Sequence, residues 1–272
     1  MIRSAEDRAY LVEVDQGVLR LTFNRPDYGN AVAAASVAEL TALFKEARED
    51  PSVRAILMRG EGAMFSAGGD VASFARSLEQ DKETRQADFA ERLPRLGRLV
   101  EAVVALDKPM VAAIRGAVAG AGLLFPLAAD IVIGEPNAIF AFAHQRVGLS
   151  PDGGVTVLLP QAVGVRAARR LLLTAAKVDA DEALRIGLLD EIVPAGTLEE
   201  QSMKLARRFA RAPQRAIRTA KRLLAEAATG GSLSDRIAAE TAGIVACVGD
   251  DDFDEGVRAF IEKRPASFPS AR

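Results

Sequence analysis

The 272-residue sequence has no tryptophan, one cysteine and one histidine, and each scarcity removes a class of protein. A single thiol, Cys247, cannot close an internal disulfide, so a disulfide-stapled secreted fold is excluded and a reducing, cytoplasmic setting is expected. His144 is far along the chain from Cys247, which leaves no histidine–cysteine set for zinc, and no metal is expected. Without a second histidine or a G-x-S-x-G, a Ser-His-Asp hydrolase is not expected either. No G-x-x-x-x-G-K-[ST] is present and no G-x-G-x-x-G opens a helix, which removes triphosphate and dinucleotide binding. No apolar run approaches the roughly 18 residues of a membrane helix; the longest are broken by Arg115, Pro126 and Asp130. The first residues, MIRSAEDRAYLVEVD, lack an apolar core and a small-residue cleavage site, so no signal peptide is expected. A net charge of −2 provides no bulk field for nucleic acid or an anionic membrane, and neither partner is expected.

What is present is an ordinary globular composition, 49% hydrophobic and 26% charged, in a chain long enough to bury a sizeable core. Apolar residues alternate from Tyr10 to Phe23 on either side of Gln16-Gly17, the pattern of a hairpin. Helical spacing (Val37, Leu40, Phe44, Ala47) predicts a helix from Val32 to Arg48, and a strand is expected over Val53 to Met58. Pro109 to Ile114 and Asp130 to Ile133 are further strand candidates, spaced for parallel pairing. Val71 to Leu106 is predicted mostly helical, broken at Pro94, with the polar stretch Gln80 to Arg85 as a candidate lid. After a short strand at Asp190 to Val193 the periodicity is helical: Leu198 to Arg211, Gln214 to Ala228, Leu233 to Val248 and Phe253 to Lys263. Residues 1–196 are therefore expected to form an α/β body, and residues 197–272 a helical region packed on the body or on another subunit.

Two glycine-bearing turns, Phe65-Ser66-Ala67-Gly68-Gly69-Asp70 and Ala119-Gly120-Ala121-Gly122, each lie between a predicted strand and helix. Glycine admits close backbone approach to a ligand, and a helix start offers unpaired N–H groups. Facing each other, two such turns would aim one N–H each at a single carbonyl oxygen, as an oxyanion hole does. A tight strand-to-helix connection needs the same glycines for purely structural reasons.

Taken in order, Asn24-Arg25-Pro26, Phe65 to Asp70, Lys108-Pro109 through Gly116 to Asp130, Gly148-Leu149-Ser150-Pro151-Asp152-Gly153-Gly154 and Glu255-Gly256-Val257-Arg258-Ala259-Phe260 resemble the enoyl-CoA hydratase/isomerase (crotonase) superfamily over nearly the whole chain. The resemblance implies a crotonase-like spiral of ββα turns with a helical carboxyl-terminal trimerisation region, and a homotrimer or a hexamer formed by two trimers. It implies acyl-CoA thioester substrates and no separate cofactor, coenzyme A being part of the substrate. It assigns the oxyanion N–H groups to Gly69 and Ala121. It places Ala67, Gly68, Asp70 and Gly120 beside the thioester and pantetheine, and makes Arg25, Phe260 and Lys263 candidates for the nucleotide end of CoA, Lys263 from a neighbouring subunit.

Hydratases of that family hold one water between two glutamates. Those positions here carry Leu124 and His144, so hydration is doubtful while the acyl-CoA platform is intact. An acid stands instead at Asp152. A structural reading makes it the cap of the helix that follows. The Pro-Asp-Gly-Gly pattern with Leu158-Leu159-Pro160, however, resembles isomerases of the phenylacetate-degradation type, which use an aspartate there as acid/base. Asp152 is accordingly the principal catalytic candidate and double-bond isomerisation the expected reaction, with hydration, or acyl-CoA or RNA binding without chemistry, as alternatives. Aryl-CoA dehalogenases use a similar aspartate as nucleophile but place tryptophan at the position of His144, and this chain has none. His144 is either an auxiliary acid/base or, beside Phe140 and Phe142, a pocket wall. The basic run Arg207, Arg208, Arg211, Arg215, Arg218, Lys221, Arg222 reads as a solvated helix face, with RNA or CoA phosphates as other takers.

Overall fold

Gln16 (φ 49°) and Gly17 (φ 82°) turn the chain between strands β1 (Tyr10–Asp15) and β2 (Val18–Phe23), positive φ at both central positions matching the twist of a two-residue hairpin. The computed structural model describes residues 9–69 and 71–272, with the backbone alone at Val71 and Ala72. Helix α1 (Val37–Glu49), strand β3 (Ala55–Gly60), helices α2 (Val71–Ser77) and α3 (Lys82–Val104), and strands β4 (Met110–Ile114) and β5 (Ala117–Ala119) follow. Helix α4 (Leu124–Ala128) leads to β6 (Ile131–Gly134) and β7 (Ile139–Ala141), then α5 (Val155–Leu173), β8 (Lys177–Val178), α6 (Ala180–Ile186) and β9 (Glu191–Ile192). Four helices complete the chain: α7 (Leu198–Ala210), α8 (Gln214–Ala228), α9 (Leu233–Val248) and α10 (Asp251–Glu262).

Six strands form one sheet in the order β1-β2-β3-β4-β6-β9, and β5-β7-β8 form a second. Only the β1–β2 pair of the large sheet is antiparallel, as strands joined through helical crossovers require. Alternation divides the large sheet's side chains between two cores. Leu19, Leu21, Phe23, Ile56, Met58, Ala112 and Ile114 face the main core with Phe44, Leu99, Val103 and Phe125. Val18, Ala55, Leu57, Val111, Ala113 and Ile133 face the other way, onto Leu198, Ala206 and Ala210 of α7. The helical tail thus begins as part of the body, α7 closing the sheet's second face.

Several boundaries differ from the sequence reading. Helix α1 starts at Val37 rather than Val32, because the preceding segment is used in loop contacts: Val32 N donates to Gly68 O (2.8 Å) and Ala67 N to Gly29 O (2.7 Å). Pro94 does not break α3, which runs through it; a proline removes a single N–H, and burial of Leu99, Ala102 and Val103 on the same helix holds the remainder. The break falls earlier, at 78–81. Gln80 to Arg85 runs into the capped start of α3, with Asp81 Oδ1 accepting from Thr84 N at 2.8 Å. Strands β5, β7 and β8 escaped the sequence reading because they are two or three residues long.

One buried charge closes the body. Pro51 has no N–H for the carbonyl of Ala47, four residues back at the end of α1. Lys108, fully buried, donates from Nζ to Ala47 O and Asp50 O, each at 2.5 Å. Burial, reinforced by the Arg218 cation and opposed by Asp107 and Asp50, pushes its ammonium down to about 8.

Candidate active site

Ser66 pairs with Val118 of β5 in an isolated parallel bridge, its N donating to Ala117 O (3.2 Å) and its O accepting from Ala119 N (2.9 Å). The bridge lays Ala67-Gly68-Gly69 against Ala119-Gly120-Ala121. Only glycine fits at Gly68, where φ is +87° and a Cβ would stand 2.3 Å from Ala119 O and 2.8 Å from Gly120 Cα. From the other side, a Cβ on Gly120 would lie 3.5 Å from Gly69 N. The two turns read separately in the sequence therefore adjoin, and the N–H groups of Gly69 and Ala121 belong to neighbouring stretches of backbone.

Two buried polar side chains fix this contact. Ser66 Oγ donates to Asn30 O (2.8 Å) and accepts from Gly68 N (3.2 Å). Asn30 accepts from Arg25 N on Oδ1 and donates through Nδ2 to Glu61 O and Met64 O, all at 2.8 Å. Its φ of 53° is a left-handed conformation that asparagine tolerates. The sequence reading missed Asn30, although Gly29-Asn30 is a turn dipeptide of the expected kind. It also missed Phe74 of α2, whose ring lies 3.1 Å from where a Cβ on Gly69 would stand and stacks on Phe89 at 5.8 Å between centroids.

The third component is the Pro-Asp-Gly-Gly turn. A Cβ on Gly153 would meet Ala121 Cα and Leu96 Cδ2, both at 3.9 Å, and one on Gly154 would meet Val100 Cγ1 at 2.8 Å. Helix α3 thus presses Asp152's turn onto the second glycine turn. The capping reading of Asp152 fails, since the N-cap of α5 is Gly154 (φ 79°). Asp152 contributes only its main-chain carbonyl to the turn, accepting from Val155 N at 3.2 Å. Its carboxylate instead lies 3.4 Å from His144 Nε2, with 42% of the aspartate side chain exposed against 8% of the histidine's.

The other candidates divide. Leu124 is fully buried in the main core, at the start of α4. Arg25 stacks over the Tyr28 ring, Cζ 4.6 Å from its centroid, and is tied to the glycine turns through Asn30. Phe260 and Lys263 stand apart on the exposed end of α10, which packs on α9 and on the turn at Pro269–Ala271. Asp70 lies outside the described residues. Two members of the basic run tie the tail to the body, Arg207 to Asp15 (2.9 Å) and Lys221 to Asp130 (2.7 Å), while Arg215 pairs with Asp250 within the tail (2.5 Å). Among the described residues no three His, Cys, Asp or Glu side chains gather as a metal would require, and no helix is long and apolar enough to cross a membrane.

Two adjoining backbone turns beside the Asp152 carboxylate can hold an oxyanion and move a proton next to it, the equipment of an enzyme that works through an enolate. The family profile of enoyl-CoA hydratase/isomerase matches residues 13–271, and the chain belongs to that family. It is similar to a Rhodobacter capsulatus protein named probable enoyl-CoA hydratase, 38% identical over 94% of this chain and 96% of the relative. It is also similar to the 1,2-epoxyphenylacetyl-CoA isomerase of Escherichia coli, 32% identical over 95% of this chain and 97% of the relative. Among solved structures, the enoyl-CoA hydratase of Bacillus anthracis superposes with a TM-score of 0.88 at 26% identity, covering 97% of this chain and all (100%) of the other. The fold is the crotonase-like α/β fold that the sequence resemblance implied.

Proposed function

We propose that this enzyme shifts a double bond in an enoyl-CoA thioester, with Asp152 as the single acid/base. The observation that carries the reading is the carboxylate of Asp152 on a turn packed against Ala121, while the buried side chain at 124 is leucine. With a 3-enoyl thioester bound, the carboxylate takes a proton from C2, and the electron pair moves through the C1–C2 bond onto the thioester oxygen. The N–H groups of Gly69 and Ala121 hold that oxygen's charge. Collapse of the dienolate forms the C2–C3 double bond as the C3–C4 double bond opens, and Asp152 returns its proton to C4. One carboxylate suffices because the proton is conserved and no water is consumed.

In this reading Ala67, Gly68 and Gly120 line the thioester, and Arg25 serves the nucleotide end of CoA together with Phe260 and Lys263, Lys263 reaching it from a neighbouring subunit. A cytoplasmic setting agrees with the free thiol of Cys247. Hydration is the second reading, favoured by the names of relatives such as the crotonyl-CoA hydratase of Syntrophomonas wolfei, 33% identical. Side-by-side assay of 3-enoyl-CoA and crotonyl-CoA separates the two. Isomerisation should exceed hydration by a wide margin, and hydration turning over at the roughly 10 to 1,000 per second of an ordinary efficient enzyme would overturn the proposal.

We assign the acyl-CoA site to residues 1–196 and assembly to the tail beyond α7. On α9 and α10, Ile237, Ile244, Val248, Phe253, Val257 and Phe260 are all exposed, an apolar face that copies of this chain would cover in a trimer or hexamer. Deleting everything after Asp252 should lower both trimer stability and CoA affinity, since Phe260 and Lys263 leave together. A truncated chain that sediments as the full-length protein does and binds acyl-CoA unchanged would remove the tail from both roles.

A further inference from the structure

His144 is the first residue of a tight turn, 144–147, whose ends are fixed: Gly148 closes it at φ 70°, and Leu149 N donates to the His144 carbonyl at 3.0 Å. Both ring nitrogens are sealed from solvent, and among the described residues neither has a hydrogen-bond partner. The carboxylate of Asp152 stands beside the ring, Oδ1 at 3.4 Å from Nε2. Solvent therefore meets Asp152 first and His144 only behind it. With its ring nitrogens closed to solvent and Asp152 Oδ1 3.4 Å from Nε2, His144 is placed to act on the reaction through the carboxylate.

The tautomer follows from counting donors. A proton on Nε2 sits on the nitrogen 3.4 Å from a carboxylate oxygen, where a small turn of either side chain completes a hydrogen bond, and leaves only a lone pair at Nδ1. A proton on Nδ1 alone buries an unpaired donor and turns the Nε2 lone pair toward a carboxylate oxygen, two unfavourable contacts in one pocket. From this geometry we infer that His144 carries its proton on Nε2 and is a positioning residue. It holds Oδ1 of Asp152 so that the same remaining oxygen, Oδ2, takes the proton at C2 and returns it at C4. An aspartate with 42% of its side chain exposed otherwise samples several rotamers, and a misplacement of about 1 Å costs about a hundredfold in rate. The inference rests on the reading of Asp152 as acid/base.

Because the chain has a single histidine, imidazole nitrogen NMR of the uniformly labelled wild-type protein reports its protonation without ambiguity. Nε2 should be protonated, and its resonance should move in Asp152→Ala; an unprotonated Nε2 overturns the inference. Kinetics gives the second arm. His144→Leu, which has no donor, should lower kcat for 3-enoyl-CoA about tenfold to a hundredfold with KM within about threefold, while His144→Gln, whose amide can donate, should restore most of the loss. Added to Asp152→Asn, His144→Leu should cost nothing further, since two groups acting as a unit are not additive. Full turnover in His144→Leu, failure of the glutamine to rescue, or a further loss in the double variant each overturns the positioning role alone. An Asp152→Asn enzyme at full speed overturns the Asp152 reading and this inference with it.

Discussion

Replacing Asp152 by asparagine should reduce isomerase turnover by about a hundredfold to ten-thousandfold, the usual worth of a general acid/base, with folding and acyl-CoA binding nearly unchanged. The amide keeps the size of the side chain but cannot accept the C2 proton. The turn it sits on is built by main-chain bonds and by Gly153 and Gly154, not by the Asp152 side chain. Among the described residues the partly exposed carboxylate makes no hydrogen bond to the fold, so stability should change by no more than it does for a surface substitution, about 0.5 kcal/mol or less, with the thermal midpoint nearly unmoved. Turnover, melting temperature and CoA-ester affinity measured on one preparation separate the cases. A variant that keeps more than about a tenth of wild-type turnover would transfer the chemistry to another acid.

That contrast shows where the sequence was sufficient and where it was not. Period-two alternation and the Gln16-Gly17 turn gave the hairpin, and helical spacing gave the tail helices close to their observed limits, because each signal is local and repeated many times. The same logic failed at Pro94, where the loss of one N–H is offset by tertiary burial that no local window registers. The glycine turns were legible individually, but their contact depends on the Ser66–Val118 bridge between segments separated by helices α2 and α3, so it could be named only through family resemblance. Asp152 was read equally well as a cap or as an acid. What distinguishes these is the position of Gly154 at the helix start and of His144 behind the carboxylate, both of them tertiary facts. Asn30 has no periodic signature at all: its role is the sum of hydrogen bonds reaching to residues 25, 61, 64 and 66.

Gly68→Ala should be as damaging as loss of the acid, for a reason in which no side chain takes part. At φ +87° an alanine is strained whatever the space, and here the added Cβ would stand 2.3 Å from the carbonyl oxygen of Ala119, well inside van der Waals contact. Neither partner is a flexible side-chain end, so backbone must shift. Shifting it separates the two turns that carry the Gly69 and Ala121 N–H groups. Removal of one oxyanion donor costs about a hundredfold to a thousandfold in rate, and misaligning the pair should cost at least a hundredfold in kcat. Overpacking adds a stability loss of about 1–3 kcal/mol, readable as a lower denaturation midpoint. The matched control is Gly97→Ala in the middle of α3, where a Cβ would meet nothing within 4 Å and the helix should gain up to about 1 kcal/mol. If Gly68→Ala turns over 3-enoyl-CoA at more than a third of the wild-type rate, the turns tolerate separation and the oxyanion must be held by other groups.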